Sequence, residues 1–120
     1  MRIIIAGSRT IKDYKLVKEC IDHALCKLAL EGNVIEEIVS GNALGVDKLA
    51  VRYAIENNRK YILFPANWQK YGKKAGYLRN IEMANYADAL ITIWDGKSPG
   101  TKMMIDIATK KGLLTYIYKI

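Results

Sequence analysis

The chain is nearly without histidine and poor in cysteine. Its 120 residues hold one histidine (His23), two cysteines, two prolines and one phenylalanine. One histidine and two cysteines cannot assemble a zinc constellation, so no metal site is expected. Cys20 and Cys26 stand six apart in a helical pattern, on different faces, so no intrahelical disulfide is expected and a reducing, cytoplasmic setting fits. Low-complexity tracts, long linkers and internal repeats are missing. No apolar run approaches the roughly 18 residues of a membrane span, and the apolar run in the opening "MRIIIAGSRT" is too short for a secretory signal. Acidic residues are also scarce, 12 against 19 basic, which leaves a net charge of +7 and a pI near 9.4. Such an excess favours anionic partners (nucleotides, nucleic acid or acidic surfaces), although a solvated lysine surface accounts for the same number.

The composition is that of a globular protein, 51% hydrophobic and 26% charged, so residues 1–120 are expected to form one domain with a real core. Apolar patterning alternates between two periods. Short β-branched runs predict strands over 2–6, 34–40, 60–65, 88–95 and 113–120; helical spacing predicts helices over 14–31, 46–58, 75–87 and 100–112. Strands that alternate with helices imply right-handed crossovers and a parallel sheet covered on both faces. The expected architecture is therefore an α/β, Rossmann-like three-layer sandwich with a five-stranded parallel sheet in the order 3-2-1-4-5. In such a sheet ligands bind beyond the carboxyl ends of the strands, at the switch between strands one and four.

Three small-residue turns fall on that rim: "AGSR" after the first strand, "SGNALGVD" after the second, and "DGKSPGT" after the fourth. Gly7, Gly41, Gly45, Gly96 and Gly100 permit close backbone approach. Helix N-termini offer unpaired N–H groups and partial positive charge, which suits phosphate. Ser8, Ser40, Ser98 and Thr101 add hydroxyls, and Arg9 and Arg79 add planar, bidentate charge. Any one turn of this kind is also needed merely to join a strand to a helix; three together with two arginines point to phosphate. Neither G-x-G-x-x-G nor a Walker P-loop is present.

"IIIAGSRT", "SGNALGVDKLA", "FPANWQKYGKKAGYLRNIEMANYADALI" and "WDGKSPGTKMMIDIA" resemble, in order and spacing, the YspA/YpsA-related branch of the SLOG superfamily. That superfamily also holds the cytokinin-activating LOG phosphoribohydrolases and the DNA-processing protein DprA. Members of the branch occur in phages and mobile elements. The resemblance implies a pocket for a nucleotide or nucleotide-derived ligand, such as an ADP-ribose derivative, without a separate cofactor; it also implies a homo-oligomer, with a dimer as the expected form. Gly7, Ser8 and Arg9 match the branch's first turn. Ser40, Gly41, Gly45 and Asp47 match its second, with Asn42 where a second glycine is usual. Arg79, Asn80 and Met83 match an R-N-x-x-M motif, similar to the R-K-x-x-M segment of LOG enzymes, whose arginine is catalytic. Gly100 and Thr101 match the end of the LOG P-G-G-x-G-T-x-x-E motif. Its catalytic glutamate falls at position 104, where this chain has Met104, and Pro99 directly before Gly100 breaks the P-G-G part. LOG-type cleavage of an N-glycosidic bond then lacks its carboxylate. The nearest substitutes beside Arg79 are Asp47, which also reads as a first-turn charge, and Asp106, which also reads as exposed.

Residues 66–76, "ANWQKYGKKAG", read as a polar loop in which Trp68 and Tyr71 alternate with Lys70, Lys73 and Lys74. Such a loop serves as a lid that stacks on a base, as a contact for single-stranded nucleic acid, or as solvated surface. The expected ligand set is completed by Trp68 on this loop and by Asp95 and Gly96 at the third turn. Met103 and Met104 read as core. Tyr116 and Tyr118 read as sheet packing or a dimer contact. Three functions remain open: binding or sensing of a nucleotide-like ligand, hydrolysis of such a ligand with a non-standard acid, and DprA-like binding of single-stranded nucleic acid.

Overall fold

The computed structural model describes all 120 residues. Five strands, β1 (Arg2–Gly7), β2 (Glu37–Ser40), β3 (Tyr61–Leu63), β4 (Ala89–Trp94) and β5 (Leu114–Lys119), form one sheet in the order β3-β2-β1-β4-β5. Every pairing is parallel. The long helices are α1 (Tyr14–Leu30), α2 (Val46–Glu56), α4 (Ala75–Tyr86) and α5 (Pro99–Lys111); a short helix α3 (Trp68–Tyr71) and a 3-10 turn (Gly72–Lys74) precede α4. No helix is long and apolar enough to cross a membrane.

Period-2 alternation divides the sheet between two cores. Ile3 and Ile5 of β1, with Ile91 and Ile93 of β4, pack against Val17, Ile21 and Leu28 of α1 and Ala50 and Tyr53 of α2. Ile4 and Ala6, with Val39 and Leu90, pack on the other face against Met83 and Ala84 of α4 and Met104 and Ala108 of α5. The central strands are buried on both faces and therefore read as continuous apolar runs. The third layer is carried by α1 and α2, so the sandwich has the expected order, helices–sheet–helices.

Element limits differ from the periodicity where pairing, not propensity, decides. β2 begins at Glu37 rather than 34 because its partner begins at Arg2, which is in register with Glu37. The preceding residues still run beside the chain start, with the Glu36 amide donating to the Met1 carbonyl at 2.9 Å. β3 is only Tyr61–Leu63, since Ser40 is the last residue of β2 it can pair with. The segment read as a loop at 66–76 is largely helical. Asn67 caps α3 by accepting from the Lys70 amide at 3.1 Å, and Gly72 ends it at φ +56°. An Asn followed by three residues free of glycine and proline is a helix-start signal that the basic composition masked.

Candidate functional site

The parallel sheet brings the ends of β1, β2 and β4 to one rim, and the turns that follow them meet there. Much of what makes them turns is mutual packing. A Cβ on Gly7 would lie 2.1 Å from the Ile93 carbonyl oxygen, and one on Gly45 would lie 2.4 Å from that of Ser8, where φ is also +80°. These two glycines let the first turn nest against its neighbours. Ser8 and Ser40 are fully buried, and both hydroxyls are engaged. Ser8 Oγ accepts from the Asp95 amide at 3.0 Å; Ser40 Oγ donates to the Asp47 carbonyl at 2.9 Å and accepts from the Asn42 amide at 3.1 Å. Asn42 sits at φ +57°, in the left-handed region that glycine enters freely and asparagine tolerates. Asp95 accepts from the amides of Lys97 and Ser98, both at 2.8 Å, and from the hydroxyls of Ser98 and Thr10. These amide bonds hold its carboxyl down, to about 2. Ser8, Ser40 and Asp95, expected to touch ligand, thus hold the turns themselves.

A cleft of about 470 Å³ opens in front of this rim. Gly7, Arg9, Asp47, Trp68, Arg79, Asn80, Ser98, Gly100 and Thr101 line it, together with Tyr77, Met83, Met103 and Met104, which sequence reasoning did not assign to it. For Met83 the signal was present: Gly76, Asn80 and Met83 share one helical stripe of α4. Gly41 and Gly45 lie beside the cleft rather than in its wall, and Gly96 is covered by the Lys119 side chain. Asp106 is not brought to the cleft at all. It lies outward on α5, ion-paired with Lys102 at 3.0 Å.

Several polar groups on the cleft floor are unpartnered. Thr101 is 6% exposed; its hydroxyl bonds to no protein atom and opens on the cleft. Asn80 is equally buried; its Oδ1 accepts from Arg79 Nε at 3.0 Å, and its Nδ2 has no protein partner. Gly100 and Thr101 stand in the first turn of the 13-residue α5, where N–H groups have no intrahelical acceptor, and Ser98 supplies no side-chain cap. The α5 end of the cleft therefore presents donors that no protein acceptor takes and that face the open cleft.

Arg79 is pinned by Nη1 donating to the Gly41 carbonyl at 2.7 Å. A Cβ at Gly41 would lie 2.6 Å from that nitrogen and 2.9 Å from Asp47 Oδ2, so a side chain here would displace one or both groups. Asp47 is the one carboxylate in the cleft wall. Burial pushes its carboxyl up to about 6, against the pull of Arg79, the amides of Ala43 and Gly7, and Arg9. Burial weighs against the Arg79 charge, Asp47 offsets this, and Arg9 repels it. Above this floor Trp68 and Tyr77, each about half exposed, form an aromatic edge. The Trp68 ring covers Gly76, where a Cβ would approach it to 3.4 Å.

Comparison with known proteins bears on the family and the fold. Residues 1–71 match the model of the YspA, cpYpsA-related SLOG family. A curated relative, the Gene 61 protein of Mycobacterium phage D29, is 36% identical over 118 residues, covering 93% of this chain and 91% of the relative. Two solved structures share the fold. DNA processing protein A (DprA) from Streptococcus pneumoniae superposes with a TM-score of 0.71 at 20% identity, over 97% of this chain and 49% of the other. DNA processing protein A from Helicobacter pylori, whose structure describes a single-stranded DNA binding mode, superposes with a TM-score of 0.67 at 23% identity, over 98% of this chain and 64% of the other. The chain thus spans about half to just under two thirds of those solved chains.

Proposed function

The chain belongs to the YspA, cpYpsA-related SLOG family, and from that premise we propose that its cleft binds a phosphorylated nucleoside. The observation that carries this reading is the convergence of unmatched donors on one cavity: the first turn of α5, the Thr101 hydroxyl and Asn80 Nδ2 on the floor, with two arginines at one side. An anion satisfies all of these at once, because helix N–H groups, hydroxyl and guanidinium are the donor types that hold phosphate. Trp68 and Tyr77 supply faces for a base, and Met83, Met103 and Met104 supply an adaptable apolar wall.

Binding is favoured over LOG-type hydrolysis. Met104 is 2% exposed and packs in the core between α5 and the sheet, so the LOG glutamate position offers no carboxylate. Asp106 points away, which leaves Asp47 as the single acid within reach of a ligand. A second reading, single-stranded DNA, is supported by exposed Trp68 and Tyr71 beside Lys70, Lys73 and Lys74, and by what the Helicobacter pylori protein binds.

The test is thermal unfolding against nucleoside mono-, di- and triphosphates, ADP-ribose, dinucleotides and short single-stranded DNA. A ligand at 100 times its Kd stabilises by about 2.7 kcal/mol, which amounts to several degrees in Tm. A small nucleotide should raise Tm, and Arg79→Ala should weaken its binding at least tenfold, about 1.4 kcal/mol. Stabilisation by DNA alone, fading steeply with salt, selects the second reading. An unchanged affinity in folded Arg79→Ala rejects the site.

A further inference from the structure

Part of the cleft wall has a second side. Arg9, Ala43, Trp68 and Arg79 line the main cleft and also a smaller neighbouring one of about 280 Å³. The smaller cleft is completed by the Gly41–Leu44 turn, by Pro65 and Ala66, and by Lys48 in the first turn of α2. Its wall has three cations and no acid. Arg9 and Lys48 are exposed and belong to no salt bridge.

The neck between the two clefts is where the charges crowd. Arg79 is fixed by its bonds to the Gly41 carbonyl and Asn80, which use two of its five N–H donors and leave the others free. Burial weighs against the Arg79 charge, Asp47 favours it, and Arg9, on the wall of both clefts, disfavours it. Two arginines that line both clefts, one of them immobilised with N–H donors to spare, offer charge and donors to an anion placed where the clefts meet. Trp68 borders both cavities, so each offers an aromatic surface next to that anion position.

We infer that the ligand has two nucleoside units joined through phosphate, with the linking phosphate at the Arg9–Arg79 neck, one nucleoside in the main cleft and the second in the Lys48 cleft. This rests on the nucleotide-binding reading and specifies its ligand class. The linked phosphate has two sources, a free dinucleotide or the units of a DNA strand, and chain length distinguishes them.

The experiment is titration calorimetry with a 5′-mononucleotide, the matched phosphodiester dinucleotide, a pyrophosphate-linked dinucleotide and a ten-nucleotide strand, on wild type and on Lys48→Ala. One of the two dinucleotides should bind at least tenfold tighter than the mononucleotide. Lys48→Ala should reduce that advantage to threefold or less while changing mononucleotide affinity less than twofold. Affinity that levels off at two units assigns a free dinucleotide; a further gain with the strand, equally sensitive to Lys48→Ala, assigns DNA. A mononucleotide that binds as well as both dinucleotides overturns this inference and leaves the nucleotide site intact. Equal losses for mononucleotide and dinucleotide in Lys48→Ala also overturn it, since Lys48 would then act as diffuse charge. Absence of binding by any of the four overturns both.

Discussion

Two turns on the same rim look alike in sequence and behave differently in the fold. The turn after β2, residues 40–46, is closed upon itself: the Ser40 hydroxyl makes two bonds, Asn42 is locked at φ +57°, and a Cβ on Gly45 would lie under 3 Å from the backbone of Ser8 and Arg9. The turn after β4, residues 95–101, is closed at its start, where Asp95 collects two amides, and open at its end. There a Cβ on Gly100 would meet nothing within 4 Å, and the Thr101 hydroxyl has no protein partner. Glycine and hydroxyl side chains therefore mark a joint in one turn and an open edge of the cleft in the other. Composition cannot separate the two; hydrogen-bond accounting can.

The largest effect that sharpens this contrast is at the glycines. Gly45→Ala forces a side chain into positive φ and into backbone atoms at 2.4 Å, so a loss of at least about 3 kcal/mol is expected. Gly100→Ala has free space at a helix position and should stay within about 0.5 kcal/mol of wild type or gain slightly. Urea denaturation of the pair checks this, and similar losses at both sites would erase the distinction.

Next in size is Asp47, where the closed turn meets the cleft. Its folded carboxyl keeps a proton up to about pH 6, whereas an unfolded one releases it near pH 4. The folded state therefore binds more protons between those values, and stability falls as pH rises through that window. Asp47→Asn removes this contribution. It should raise stability at pH 7 by up to about 2–3 kcal/mol and flatten the profile between pH 4 and 6. A variant less stable than wild type at pH 7 would show that the Asp47 charge is better compensated by Arg79 than its burial suggests.

The smallest pair separates stability from affinity. Ser40→Ala unpairs buried groups and should cost about 1–2 kcal/mol of folding stability with little change in nucleotide affinity. Thr101→Val keeps the shape, should leave Tm within a degree or two, and should weaken phosphate binding about three- to tenfold. If Thr101→Val unfolds more readily than Ser40→Ala, the open end of the 95–101 turn is structural after all.

The fold was legible because the central strands are buried on both faces and carry plain β-branched runs, "RIIIA" and "ALITI", while α1 repeats its apolar positions through four turns. Strand order followed from chirality and the usual crossover rule, neither of which needs side-chain detail. The short edge strand β3 and the capped helix α3 were less legible, since pairing with β2 and one Asn67 cap decide them. In the site, residue types were legible but their allegiance was not. Arg9 and Arg79 announce charge in any setting, whereas Ser8, Ser40, Ser98 and Asp95 differ from Thr101 only in which neighbours reach them. Asp106 illustrates the remaining error. It lies two residues beyond Met104, and on a helix that offset turns the carboxylate to the opposite face, beside Lys102.

The seam between β1 and β4 joins Ile3 to Ala89 and Gly7 to Ile93. At synthesis rates of roughly 5–20 residues per second, on the order of ten seconds separate the two strands as they emerge from the ribosome. Until β4 emerges β1 lacks its second neighbour, and α5, which follows β4, has not yet been made. A nascent chain consequently cannot close the cleft early: the α5 side of its wall is made only after β4, so the cleft is whole only once both central strands have been made.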